Sequence, residues 1–202
     1  AGFVQGKKVP GYLEEEGANK TSTTETFVSI RVDIDNWRWA GVPFYLRTGK
    51  RLPSKCSEVV VYFKNPELNL FKDSYTELPQ NKLTIRLQPD EGVAIEILNK
   101  VPGLDHKHKL QTTKLDLSFS ETFNQSHLAD AYERLLLETM RGIQALFVRR
   151  DEVEAAWTWV DSIVEAWAVD GEGAKPYQAG TWGPVASVAM ITRDGRSWNE
   201  FE

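Results

Sequence analysis

A chain of 202 residues with a net charge of −5 and a single cysteine suits one large domain that buries about 70% of its unfolded surface. The acidic balance leaves no basic footprint for nucleic acid, and the longest apolar runs are strand-sized, so no membrane span is expected. Cys56 cannot close an internal disulfide and fits a reducing cytosol.

Residues 1–22 are rich in Gly, Lys and Glu with little periodicity, and read as an ordered loop or linker. Ala1 in place of an initiator methionine suggests a fragment or a processed chain. No secretory signal pattern opens it, so a cytoplasmic protein is expected. Over 24–34, Val28, Ile30, Val32 and Ile34 alternate with Ser29, Arg31 and Asp33, the pattern of a half-exposed strand. Further strands read at 42–47, 58–63, 82–88, 92–99 and 115–120. Gln88-Pro89-Asp90-Glu91-Gly92 is a short connection that favours an antiparallel hairpin.

The period then changes. Leu128, Ala131, Tyr132, Leu135, Leu136, Met140, Ile143 and Phe147 follow helical spacing, with Ser126 as N-cap. A second helix is expected from Asp151 as its N-cap, with Val153, Ala156, Trp157, Val160, Ile163, Val164 and Trp167 on one face. No helical pattern separates the strands, so parallel βαβ units are not expected. Strands in succession followed by long helices predict an α+β domain with helices packed on an antiparallel sheet.

The most chemically suggestive segment lies between the first two strands and the third. The strand at 42–47 feeds a Thr48-Gly49 turn that carries Lys50, Arg51 and Lys55. A rigid strand entering a cationic turn suits anion binding, and two lysines five residues apart can approach one phosphate from different sides. A solvated basic turn is the plainer alternative. His106 and His108 flank Lys107 and lack a Cys or carboxylate shell, so an exposed loop outweighs a metal site. Cys56 has no His base beside it and reads as a structural thiol. The seven tryptophans read as core or subunit-interface residues.

Several ordered blocks carry a resemblance. Thr24-Glu25-Thr26-Phe27, Asp35-Asn36-Trp37-Arg38-Trp39, Gly41-Val42-Pro43-Phe44, Arg47-Thr48-Gly49-Lys50, Arg86-Leu87-Gln88-Pro89, Asp130-Ala131-Tyr132-Glu133-Arg134-Leu135 and residues 177–184 fall in the order and spacing of the glucose-6-phosphate dehydrogenase family. The likeness runs from about Val9 to Gly195 and resembles the C-terminal, substrate-side half of the bacterial form. It implies a large, predominantly antiparallel sheet with helices on one face, residues 1–22 linking to a Rossmann domain absent from this chain, and residues 23–202 forming the C-terminal domain.

The resemblance further implies oxidation of glucose 6-phosphate to 6-phosphoglucono-1,5-lactone by the full-length enzyme. NADP would be held mainly by the absent domain, and a homodimer would form through the sheet. Lys50 and Lys55 would contact the sugar phosphate. Gln88 would reach the substrate, although a glutamine bonding the strand backbone fits that position equally well. No catalytic base, cofactor-binding residue or metal ligand is assigned here, so the chain alone is expected to be inactive. Arg47 and Arg86 correspond to positions that hold a second, structural NADP in mammalian relatives. Cys56 and Trp182 stand where those relatives carry basic residues, so pairing of both arginines with carboxylates is the favoured expectation. A stand-alone sugar-phosphate-binding or oligomerisation module is the alternative to the enzyme.

Overall fold

A computed structural model describes residues 1–4, 6–103, 109–123 and 130–199. The strands are β1 (Gly2–Val4), β2 (Lys7–Val9), β3 (Phe27–Asp33), β4 (Pro43–Gly49), β5 (Ser57–Tyr62), β6 (Lys82–Gln88), β7 (Gly92–Lys100) and β8 (Leu110–Ser118). The helices follow as α1 (Phe119–Thr122), α2 (Ala131–Arg141), α3 (Arg150–Asp170) and α4 (Val185–Thr192). Every strand pairing is antiparallel, in sheets ordered β1-β2, β3-β4 and β5-β6-β7-β8. Antiparallel strands followed by helices are the α+β class expected from the change of period. The chain divides into two compact units, 1–54 with 142–202, and 55–141.

In the first unit, residues 1–22 hold more structure than a linker: β1 and β2 form a small hairpin, and Tyr12–Glu14 make a 3-10 turn. Three-residue strands are too short to show alternation, which hid them in the sequence. A parallel bridge from Gly2 to Ala179 ties this hairpin to the later part of the same unit. β3 and β4 pair from Phe27 opposite Gly49 to Asp33 opposite Pro43. Asn36 shapes their connection by accepting bonds from the N–H groups of Arg38 (3.0 Å) and Trp39 (2.9 Å) through Oδ1.

The second unit is a four-stranded meander. Thr84 and Ala94, register partners on β6 and β7, are buried, as is Gly92. β8 starts at Leu110, earlier than the sequence suggests, because Gln111, Thr112, Thr113 and Lys114 are polar on both faces and conceal the alternation. Its ladder with β7 runs from Gly92 opposite Ser118 to Lys100 opposite Leu110.

The single helix expected from the 128–147 pattern ends at Arg141. Gly142, at φ 71°, takes the left-handed conformation that closes a helix. Ser126 and Leu128 lie outside the described residues. α3 begins one residue before the expected Asp151 cap. Arg149 is the cap residue, its N–H donates to Glu152 Oε2 at 3.1 Å, and Asp151 sits in the first turn, where the helix dipole favours a carboxylate. Gly171, at φ 69°, ends α3 with its N–H on Trp167 O. α4 has no amphipathic signature, being almost wholly apolar, and it buries Ser187 and Ile191.

Candidate functional site: the basic turn after β4

The turn after β4 is held by backbone bonds from distant segments of the first unit. Lys50 N–H donates to Thr26 O at 2.8 Å, continuing the β3–β4 ladder by one residue. Tyr177 Oη donates to Lys50 O at 2.6 Å and lies 3.2 Å from Thr26 O. The Tyr177 ring meets Phe27 at a centroid distance of 5.4 Å. Gly180 N–H donates to Arg51 O at 2.8 Å, while the Arg51 guanidinium pairs with Glu15 at 2.6 Å. Arg51 stands at φ 53°, a left-handed conformation that non-glycine residues seldom adopt. The Lys50 side chain is exposed and has no ion pair among the described residues.

A recess of about 170 Å³ opens between residues 25–28 and 48–50. Drug-sized ligand pockets run to about 300–1,000 Å³, so this recess is too small to enclose such a ligand by itself. Its rim carries one acidic and one basic side chain, Glu25 and Lys50.

The other expected contacts lie in the second unit. Gln88 ends β6 opposite Ser57, and Lys55 precedes Ser57 by two residues, so both stand at one end of the four-stranded sheet. Both are exposed, and among the described residues neither side chain makes a hydrogen bond or ion pair. The Gln88 amide therefore makes no bond to the strand backbone.

Arg86 pairs with a carboxylate as expected. Its two terminal nitrogens reach Asp116 at 3.0 and 2.5 Å. Gly92 lies between them on β7, and a Cβ there would stand 2.6 Å from Arg86 Nη2. This bidentate bond, helped by Lys114, holds the Asp116 carboxyl well below the usual range. The Arg47 guanidinium carbon lies 4.8 Å from the Trp182 ring centre and 4.6 Å from that of Trp198. Both arginines are thus engaged with protein groups.

Also on the hairpin, the Tyr45 hydroxyl donates to Asp194, and Arg31 reaches the same carboxylate at 3.1 Å. The tyrosine bond, then the arginine charges, lower the Asp194 pKa, while burial leads in raising that of Tyr45. His106 and His108 fall outside the described residues. Trp37, read as core or interface, is 92% exposed. The bonds from Tyr177 and Gly180 to the basic turn span more than a hundred residues, and no local pattern reports such contacts.

A family model described as "Glucose-6-phosphate dehydrogenase, C-terminal domain" matches residues 1–199. The chain is 88% identical over 202 residues to the glucose-6-phosphate 1-dehydrogenase of Dickeya dadantii (strain 3937). It is 54% identical over 202 residues to that of Buchnera aphidicola subsp. Schizaphis graminum. Both alignments take in 100% of this chain but 41% of the relative, so the chain spans about two fifths of the length of the curated relatives it matches. A solved glucose-6-phosphate dehydrogenase in complex with its substrate glucose-6-phosphate aligns with a TM-score of 0.83 and 32% identity, covering 98% of this chain and 40% of that one. The glucose-6-phosphate 1-dehydrogenase from Mycobacterium avium aligns at 0.76 and 34%, covering 96% and 39%.

Proposed function

The chain belongs to the glucose-6-phosphate dehydrogenase C-terminal domain family, and from that membership we propose that it is the substrate-side part of a glucose-6-phosphate 1-dehydrogenase. The longer enzyme oxidises glucose 6-phosphate to 6-phosphoglucono-1,5-lactone, the entry step of the oxidative pentose phosphate pathway. The observation that carries this reading is the match along residues 1–199, joined to 88% identity with an enzyme of that name. Residues 1–22 connect from the coenzyme domain, and 23–202 form the C-terminal domain.

This chain's share is to anchor the substrate. Lys50 and Lys55 contact the phosphate, each as a compact charge with three donors. Gln88 hydrogen-bonds a sugar hydroxyl, for which its unengaged amide is suited. Fixing the phosphate end orients C1 toward the reacting groups of the rest of the enzyme. NADP, bound mainly outside this chain, accepts the C1 hydride, and the base that removes the C1 hydroxyl proton also lies elsewhere. The enzyme is a homodimer formed through the sheet and works in the cytoplasm. Exposed Leu115 and Leu117 on β8 support the first point. The single cysteine supports the second, and among the described residues no helix is long and apolar enough to cross a membrane.

Replacing either lysine in the full-length enzyme tests the assignment. Each charge-assisted bond is worth about 1.5–3 kcal/mol, so Lys50→Ala or Lys55→Ala raises KM for glucose 6-phosphate by about 10–150-fold. Unchanged kinetics in both variants would sink it.

A further inference from the structure

We propose that Tyr177 is a positioning residue for substrate binding, acting by fixing the backbone from which Lys50 projects. The inference rests on the reading that Lys50 contacts the substrate phosphate. A solvated lysine needs no particular backbone, whereas a lysine that meets a phosphate must start from a fixed point.

The turn has that fixed point. Lys50 N–H is bound by Thr26 O and Lys50 O by Tyr177 Oη, so both backbone polar groups of this residue are held. The next residue, Arg51, keeps its left-handed φ of 53° with its carbonyl bound by Gly180 N–H and its side chain by Glu15. Such a conformation persists only where its surroundings over-determine it. Tyr177 and Gly180 belong to one short segment, so one element clamps two successive carbonyls of the basic turn.

That segment is itself anchored. A Cβ on Gly180 would stand 1.9 Å from Phe3 O, and one on Gly183 would stand 2.2 Å from the Phe27 ring. The close approaches press the segment against β1 and the start of β3. The Tyr177 ring, half-buried on Phe27, aims its hydroxyl at the two carbonyls it meets. Against this rigid base, the Lys50 ammonium has no ion pair among the described residues. A clamped backbone below an unengaged charge is the arrangement of a pre-set anion contact.

The test is a double-mutant cycle in the full-length dehydrogenase that contains this chain, using Tyr177→Phe, Lys50→Ala and the pair. Tyr177→Phe keeps the ring on Phe27 and removes the bond to Lys50 O. The expected result is a rise in KM for glucose 6-phosphate of about two- to tenfold, the scale of one net hydrogen bond, with kcat unchanged. In the Lys50→Ala background the same substitution adds nothing, because the lysine it positions is gone. KM effects that multiply in the double variant overturn the inference, since Tyr177 would then act elsewhere. A parallel fall in kcat and thermal midpoint with KM unchanged also overturns it, showing a purely structural residue. If Lys50→Ala raises KM and Tyr177→Phe does not, the positioning role fails while Lys50 stands as a substrate contact. If Lys50→Ala leaves KM unchanged, the reading of Lys50 fails and the positioning role falls with it.

Discussion

The basic turn after β4, up to Ser54, and the helix α3 both belong to the first unit, yet they are secured in different ways. At the turn, Tyr177, Gly180, Glu15 and Thr26 each make a directed bond to Lys50 or Arg51, from segments far apart in the sequence. Over its 21 residues, α3 buries none. Trp157 is 60% exposed on it and Trp167 42%, and its salt bridges are local pairs such as Arg150 with Glu154. Directed bonds fix a short segment without a large core. An aromatic stripe on a helix gains its stabilisation only when apolar area is covered. The turn therefore has its determinants within this unit, whereas among the described residues α3 has its caps but no cover.

The two regions can be set against each other with one substitution made twice, read by calorimetry on the full-length enzyme. Gly180→Ala carries the largest expected effect. The new methyl meets Phe3 O at 1.9 Å from a left-handed backbone at φ 83°, so strain and displacement together cost about 3 kcal/mol. Gly171→Ala at the end of α3 places its methyl in open space at φ 69°, leaving the conformational cost of about 1 kcal/mol. Equal losses at the two sites would break the comparison, since neighbours would then count for nothing.

The smallest effect sharpens it by pH. Asp194 is bound by Tyr45 on β4 and Arg31 on β3, and its carboxyl is held below the ordinary range. A depressed carboxylate stabilises the fold above its unfolded value of about 3.9 and loses that contribution as pH falls through the folded value. The thermal midpoint of Asp194→Asn should lie below that of the parent at neutral pH. The gap should close in acid below about pH 4. A gap that persists unchanged there would mean that the carboxylate charge plays no part in holding the hairpin.

What was legible in the sequence follows the range of the interactions. Leu83, Ile85 and Leu87 alternate within one strand, and β6 spans the residues expected of it. The helical face of α3 likewise shows in its own spacing, and only its cap moved. β1, β2 and the first half of β8 escaped notice, being too short or polar on both faces. α4 shows no period because it is apolar almost all round. At the site, Thr48-Gly49 locates the turn and Lys50 its charge. The clamp by Tyr177 spans 127 residues and is invisible to any local pattern. Arg47 illustrates the same limit: the fold places it between Trp182 and Trp198, more than a hundred residues away in the chain.

That stacked arginine also makes the fold observable by light. A fixed positive charge 4.6–4.8 Å from two indole centres imposes an electric field on their excited states and displaces their emission relative to a tryptophan in water. Trp182 and Trp198 lie near the end of the chain and Arg47 on β4, so the displaced emission exists only while the late segment is closed over the hairpin. The molecule carries its own optical gauge of that closure, three residues before the lysine proposed to meet the substrate.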